Sequence, residues 1–359
     1  MKRKIASAMS GGVDSSVATF ILVSQGYQVM GVSMLLSKIE EIGYGERRCC
    51  SLDDLIDARR VARKLGIPYT AIDLSTEFTN TVIKPFVEAY LAGLTPNPCV
   101  RCNRLMKFGY LFDRMRKLGY SLIASGHYAK VEYDGEGKRY LLRQGKDKEQ
   151  DQSYFLFELS QEQLAHLILP LGELTKNEVR KIAEKEGLPV SDKRDSQEIC
   201  FVPGNRYTEV VEKHSERKDL KGEIVDTSGR VLGYHRGIYH YTIGQRRGLG
   251  VALGEPLYVI EIDPVNNRIV VGSEEHLLKK RLIARDINLI ALPKIPKGYP
   301  VIAKIRYKHR GEEAILNPLP EGRMMVEFKN PVRAITPGQA VVFYEEDIVI
   351  GGGWIEKAF

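Results

Sequence analysis

The stretch that decides the fold is Lys4-Ile5-Ala6-Ser7-Ala8-Met9-Ser10-Gly11-Gly12-Val13-Asp14-Ser15-Ser16. Ile5 to Met9 is a short apolar run and predicts a buried strand. Ser15 to Gln25 has helical spacing, with Val17, Phe20, Ile21 and Ser24 on one side and Gly26 closing it. Between the two, Gly11 and Gly12 let the backbone turn tightly and approach a ligand. The unpaired N–H groups of a helix start, together with its dipole, favour an anion there, and Ser10, Ser15 and Ser16 add hydroxyl donors. No Gly-Lys-Ser/Thr follows, so this is not a Walker loop.

Working outward, Val29–Leu36 reads as the next strand. Ser51 and Asp54 have capping-box spacing ahead of a helix with Leu55, Ala58, Ala62 and Leu65 on one face, and Tyr69–Asp73 reads as a third strand. Phe78, Val82, Phe86 and Tyr90 mark another helix, which Pro85 should kink or restart. A helix over 105–118 and a strand at Leu122–Ser125 complete an alternation that predicts an α/β fold with a doubly wound parallel sheet. The helical signal ends near residue 215, after a helix capped by Thr175 and Glu178. From Gly222 onward the runs are short and β-rich, which predicts small β-domains or barrels. The expected division is a catalytic domain over 1–210, a small central domain over 211–280 and a C-terminal β-barrel over 281–359.

Lys and Arg number 53 against 46 Asp and Glu, a formal charge of +7, which suits an anionic partner without requiring one. At 43% hydrophobic residues the chain is too apolar for intrinsic disorder. No apolar run approaches the ~18 residues of a membrane helix, and the stretch behind Met1-Lys2-Arg3-Lys4 is too short for a signal peptide. A cytoplasmic protein without membrane contact is expected.

Five cysteines, Cys49, Cys50, Cys99, Cys102 and Cys200, argue against a disulfide framework and for reactive or metal-binding thiols. Thr95 to Asn103 is rich in turn formers and predicts a loop leading into a helix. Cys102, between Arg101 and Arg104 near that helix start, has the surroundings of a reactive thiolate. Alone, the C-x-x-C of Cys99 and Cys102 is ambiguous among a redox motif, a metal clip and a coincidence, with no second C-x-x-C or His pair to make a structural zinc site, and an isolated Cys200 beside Ile199 and Phe201 is ordinarily a core residue.

A series of motifs runs through the chain in order: S-G-G-V-D-S at Ser10, T-P-N-P-x-x-x-C-N at Thr95, S-G-H-Y at Ser125, D-Q-S-Y-F-L at Asp151, D-S-x-x-I-C at Asp195, T-I-G-Q-R-R-G-L-G at Thr242 and T-P-G-Q at Thr336. The first resembles the signature of the PP-loop ATP pyrophosphatases, and the ordered set resembles the bacterial tRNA-specific 2-thiouridylases. The resemblance implies ATP-dependent 2-thiolation of the wobble uridine, U34, of tRNA: AMP is transferred to the C2 oxygen, and sulfur then displaces it. It implies ATP held by Ala8, Met9, Ser10, Gly11, Gly12, Val13, Asp14, Ser15, Met34 and Gly126. Asp14 is expected to act in catalysis, with Mg2+ as its natural bridge to phosphate. The resemblance further implies that Asn97, Pro98 and Cys99 contact the target base, and that His127, Gln150, Asp151, Gln152, Arg306, Tyr307 and Gln339 contact tRNA. Lys304, Arg306, Lys308, His309 and Arg310 form a basic run on a predicted strand, suited to RNA phosphates.

Sulfur would come from a Cys200 persulfide, loaded by a sulfur-relay protein or cysteine desulfurase, with Cys102 as its partner. Many family members carry Asp where this chain has Cys99. A third thiol leaves open a second route, in which Cys99, Cys102 and Cys200 hold a [4Fe–4S] cluster with one open iron. Other PP-loop ligases acting on tRNA remain a rival, but those joining a nitrogen nucleophile give no use for Cys102 and Cys200. A non-catalytic RNA-binding protein is opposed by the intact phosphate loop.

Overall fold

The computed structural model describes residues 3–37, 52–194, 199–202, 204, 206–215, 220–251 and 254–359. Ser51, Cys49, Cys50 and Asp195–Glu198 of the motifs above lie outside them. The chain divides into two compact units. The first comprises Met1–Val82, Pro98–Asn205 and Asp347–Val349, and the second Ile83–Asn97, Arg206–Glu346 and Ile350–Phe359.

The first unit is built on β1 (Lys4–Ala8), α1 (Val13–Ser24), β2 (Gln28–Leu35), α2 (Leu52–Lys64), β3 (Tyr69–Asp73), β4 (Leu122–Ala124), the hairpin β5 (Ala129–Asp134) and β6 (Arg139–Gln144), and β7 (Leu167–Ile168). Five of these strands form a wholly parallel sheet in the order β3-β2-β1-β4-β7. The chain runs outward from β1 through β2 to β3, then returns to β4 on the other side of β1. The order therefore reverses beside β1, and the crevice beyond its carboxyl end is where such sheets bind ligands. The apolar runs of β1 and β2 become strands covered on both faces, so alternation is absent in them, whereas the edge strand β3 leaves Ala71 and Asp73 exposed. On one side α1 packs against the helix Lys176–Lys185 through Val17, Ala18, Val179 and Ala183. Ala58, Val61 and Ala62 of α2 pack with Met9 and Val190. Thr175 and Glu178 form the expected capping box.

One local expectation changes and another holds. The segment read as a loop is helical from Pro98, whose fixed φ suits a helix's first turn and whose missing N–H costs nothing there. It passes through a π-helical stretch, Cys102–Leu111, into Phe112–Lys117. Cys99 and Cys102 thus stand on consecutive turns of one helical segment. The restart expected at Pro85 is present: a π-turn, Thr79–Ile83, precedes Lys84–Leu91, with Pro85 in its first turn.

The second unit holds two all-β parts. A four-stranded sheet, β8 (Gly222–Val225), β9 (Val231–His235), β10 (Tyr258–Asp263) and β11 (Arg268–Gly272), runs in the order β10-β11-β8-β9 around Ile224, Val259, Ile269 and Val271. Then β12 (Leu278–Leu289), β13 (Tyr299–Lys304), β14 (Glu312–Pro318), β15 (Met324–Arg333), β16 (Ala340–Glu345) and β17 (Ile348–Ala358) form a six-stranded barrel, closed by β12 pairing with both β15 and β17. Alternate residues such as Ala314, Leu316, Val326 and Phe328 fill it. The basic run lies only partly on a strand. β13 ends at Lys304, and Arg306 to Arg310 form the turn that follows, closed by the His309 amide donating to the Arg306 carbonyl at 3.0 Å.

Candidate active site

The phosphate loop stands at the carboxyl end of β1. Gly11 adopts φ +74°, and Gly12 caps α1 without a side chain to accept the helix's first N–H groups. The donors of the first turn are thereby left for a ligand. Ser15 is held in place: its Oγ donates to the Gly12 carbonyl at 3.1 Å and accepts from the Ser10 amide at 3.2 Å. Ser16 Oγ donates to the same carbonyl at 2.8 Å. Met9 and Val13 are buried beneath the loop, and Met34 is buried on the neighbouring β2.

Ser125-Gly126-His127-Tyr128 follows β4 and closes on this loop. A side chain at Gly126 would place its Cβ 2.7 Å from the Asp14 carbonyl carbon and from the Ser15 amide nitrogen, so only glycine permits this approach. Tyr128 Oη donates to Asp14 Oδ1 at 2.8 Å. The structure therefore joins two motifs, 114 residues apart, into one cradle.

Two lysines that the sequence reading passed over complete it. Lys176 Nζ donates to both oxygens of Asp14 at 2.8 Å, with its side chain 12% exposed. The Asp14 carboxylate is accordingly neutralised by an ammonium group, not presented bare. Lys193 Nζ reaches Asp54 Oδ1 and Asp57 Oδ2 at 2.7 Å each, and the Gly11 carbonyl at 3.1 Å. These acceptors raise the Lys193 pKa against the opposing effect of burial, which is the largest single influence on it. Lys193 ties the phosphate loop to α2, and it stands seven positions before Cys200 in the chain.

Cys99, Cys102 and Cys200 are all half-buried in the first unit. Both cysteine-bearing segments pack against the helix Ser75–Phe78 and the π-turn after it. Phe201 meets the Phe78 ring edge-on at 5.5 Å; on the Cys102 side, Thr81 Oγ1 lies 3.4 Å from Met106 Sδ and Arg114 pairs with Glu77 at 3.4 Å. Among the described residues no three His, Cys, Asp or Glu side chains are grouped to hold a metal ion. That arrangement lends no support to the cluster alternative, in which Cys99, Cys102 and Cys200 would hold iron.

The residues expected at RNA divide. His127 is 7% exposed, with Ser125 Oγ 2.7 Å from its Nδ1. Burial, reinforced by the Lys107 charge, holds it well below the usual imidazole pKa. Asp151, 4% exposed, accepts from the Gly145 and Ser153 amides and from Ser153 Oγ at 2.9–3.1 Å. Gln152 Oε1 accepts from the Tyr128 amide at 3.1 Å. Asp151 and Gln152 therefore brace the S-G-H-Y turn. Gln150, half-exposed, lies in the same turn region. In the second unit Arg306 and Gln339 line one cavity, with Tyr307 next to Arg306 on the turn after β13. Asn97 falls in the second unit by chain position and Pro98 in the first.

Three family models match the chain. They are described as a tRNA methyl transferase HUP domain over residues 3–204, a tRNA methyl transferase PRC-barrel domain over 208–273, and an aminomethyltransferase beta-barrel domain over 279–355. The chain is 49% identical to a tRNA-specific 2-thiouridylase, MnmA 1, of Caldanaerobacter subterraneus subsp. tengcongensis, over 99% of each chain. It is 47% identical to the tRNA-specific 2-thiouridylase MnmA of Clostridioides difficile, over 100% of this chain and 99% of that one. Among solved structures, a 4-thiouridine synthetase–RNA complex with bound ATP is similar at 14% identity and a TM-score of 0.35, covering 59% of this chain and 50% of the other. At that score the likeness is a distant one.

Proposed function

The chain belongs to the tRNA-specific 2-thiouridylase family, and we propose that it thiolates U34 in tRNA by two chemistries carried by separate residues. The enzyme is an ATP-dependent tRNA-uridine 2-sulfurtransferase. The observation that carries the proposal is the cradle at Asp14: an uncapped helix start, Gly126 pressed on its backbone, and Lys176 on its carboxylate.

In the first step ATP, entering as its Mg2+ complex, lies with its phosphates at the start of α1. The residues Ala8 to Ser15 surround it, with Met34 and Gly126 alongside. The uracil C2 oxygen attacks the α-phosphorus, the bond to the β-phosphate oxygen breaks, and pyrophosphate leaves. The N–H groups of Val13 to Ser15 and the ammonium of Lys176 stabilise the charge that builds on the departing oxygens. Asp14 orients Lys176.

In the second step the terminal sulfur of a Cys200 persulfide attacks C2, and AMP leaves with the former carbonyl oxygen. The Cys102 thiolate then attacks the Cys200 sulfur, and the sulfur on C2 leaves with its electron pair as the thiocarbonyl. A Cys102–Cys200 disulfide remains, so the two thiols supply the two electrons that reduce the transferred sulfur. A cellular thiol reopens the disulfide, and a sulfur-relay protein or cysteine desulfurase restores the persulfide. The uridine is held extruded from the anticodon loop by Asn97 and Pro98, beside Cys99. Gln150, Arg306, Tyr307 and Gln339 bind the rest of the loop, while His127, Asp151 and Gln152 act through the turn they support. We assign these tasks to a catalytic domain over 1–210, a central domain over 211–280 and a barrel over 281–359, working in the cytoplasm.

Family models named for methyl transfer do not change this reading, because the relatives matched over the full length are tRNA-specific 2-thiouridylases. Incubation with ATP, Mg2+, a sulfide or persulfide source and unmodified tRNA tests it. Nucleoside mass spectrometry is expected to find 2-thiouridine at position 34 alone. Its absence, or its appearance elsewhere, would overturn the assignment.

A further inference from the structure

Tyr128 Oη and Lys176 Nζ both donate to the Asp14 carboxylate at 2.8 Å. They reach it from separate parts of the chain, yet one turn of the first unit, residues 145–152, holds both. Asp147, near the middle of that turn, has no part in the chemistry above.

The turn grips Tyr128 by its backbone. The Gln152 amide donates to the Tyr128 carbonyl at 2.9 Å, and Gln152 Oε1 accepts from the Tyr128 amide at 3.1 Å. Gly145 lies against the same carbonyl: a Cβ there would stand 2.9 Å from the Tyr128 oxygen and 3.1 Å from its carbon. Asp151 Oδ1 accepts from the Gly145 and Ser153 amides at 3.1 Å each, which ties the ends of the turn together.

The turn grips Lys176 through Asp147. Asp147 Oδ2 accepts from the Lys176 amide at 2.9 Å, Oδ1 accepts from the Glu149 amide at 3.2 Å, and the Asp147 carbonyl accepts from the Gln150 amide at 3.2 Å. The Lys176 amide is the first N–H of its helix, which no carbonyl of that helix can satisfy. Lys146 adds a second tie, its Nζ reaching both oxygens of Glu178 at 3.2 Å and its amide donating to the Gly172 carbonyl at 2.9 Å. The capping box of Thr175 and Glu178 already closes this helix start. The Asp147 bond therefore adds little to starting the helix and instead fixes where residue 176 stands. With the Lys176 side chain 12% exposed, a shift of that backbone passes to the ammonium.

We propose that Asp147 is a positioning residue for adenylation: through the Lys176 amide it sets the Lys176 ammonium on Asp14, from the same turn that sets Tyr128 there. Gln150, assigned to tRNA above, hangs on the Asp147 carbonyl, so one residue fixes both the cation at the phosphates and the place of Gln150. The inference rests on the Asp14 cradle being the adenylation site, as proposed above.

The test follows pyrophosphate release by the full chain at saturating ATP, Mg2+ and unmodified tRNA. Asp147→Ala is expected to lower kcat roughly ten- to a hundred-fold, the scale of a displaced charged group, with the KM for ATP little changed, because the lost interaction is one made in the transition state. Asp147→Ser, whose hydroxyl falls short of the Lys176 amide, should behave as the alanine variant does. Asp147→Asn keeps an oxygen for that amide and should retain most of the wild-type rate. In a Lys176→Met background Asp147→Ala should cost less than about two-fold more, since its effect passes through the lysine. A residue that merely supports the fold would cost the same in both backgrounds. A folded Asp147→Ala or Asp147→Ser with a near wild-type kcat would overturn the assignment alone. So would an Asp147→Asn as slow as the alanine variant, or the full loss repeated in the Lys176→Met background. A wild-type protein that releases no pyrophosphate with tRNA present would overturn the functional reading with it.

Discussion

The Lys176 ammonium lies 2.8 Å from both carboxylate oxygens of Asp14, across 162 residues of sequence. An acidic group beside a polyphosphate site would repel its ligand. Pairing it with a largely buried lysine reverses that and sets a cation at the start of α1. Lys176→Met should reduce AMP formation in the presence of tRNA by roughly 10²- to 10³-fold, the scale of losing one preorganised charge. Lys176→Arg should restore part of it, and tRNA affinity should stay within a few-fold. Near wild-type AMP release by Lys176→Met would remove the residue from the chemistry.

Gly126 is the second test of the cradle. An alanine Cβ must displace the backbone of Asp14 and Ser15. Gly126→Ala is expected to raise the KM for ATP at least ten-fold and to destabilise the first unit by about 1–3 kcal/mol, the usual scale of overpacking. Unfolding in urea and steady-state kinetics separate the two effects. An unchanged KM would show that the close approach is not part of the nucleotide site.

Lys193 makes a different prediction, because it acts through others. It satisfies Asp54, Asp57 and the Gly11 carbonyl at once. Lys193→Met leaves two carboxylates facing each other beside the loop. The KM for ATP should rise, and thiouridine formed per pyrophosphate released should fall, since Lys193 begins the segment that carries Cys200. Lys193→Arg should recover the ratio better than the KM. If both parameters are unmoved in Lys193→Met, the tie is only structural.

The buried His127 gives the pH dependence. Its pKa lies well below the ordinary 6.5, first because it is desolvated and next because of Lys107. The unfolded chain therefore binds the extra proton first. Stability from this group is complete above about pH 6.5 and falls as pH drops through that value, by at most about 1.4 kcal/mol per pH unit. His127→Gln should flatten the fall between pH 7 and 5 in denaturant titrations, leaving the smaller contributions of His235, His240 and His309, also depressed by burial. An identical slope in the variant would contradict this.

What could be read in the sequence was local. The strand, loop and α1 were legible because Ile5 to Ser16 combine a buried run, two glycines and a helix start within a few residues. The barrel was legible only as β-rich character: in β17, Gly351 and Gly353 stand against the backbone of β12, and that close approach replaces the alternating side chains by which a strand is recognised. The helical start at Pro98 was hidden by turn-forming residues, although a proline is also at home in the first turn of a helix. Lys176 and Lys193 carry no local signal at all. Lys176 sits inside a capping box that explains the residues around it, and only the fold brings it to Asp14. The neutral state of His127 likewise follows from burial, which no spacing discloses.

The central claim is that adenylation and sulfur delivery belong to different residues, and the ratio of 2-thiouridine to pyrophosphate measures it directly. In a single turnover on persulfide-loaded protein, the wild type should form one 2-thiouridine per pyrophosphate and leave Cys102 and Cys200 joined as a disulfide. Cys200→Ser should still release pyrophosphate and leave adenylated tRNA, Cys102→Ser should go on to release AMP but hold the tRNA as a mixed disulfide, and both should form little or no 2-thiouridine. Cys99→Ser, iron-free, should keep a ratio near that of the wild type. Thiouridine formed at the wild-type ratio by Cys200→Ser, or a Cys99→Ser protein whose ratio collapses with loss of bound iron, would contradict the account.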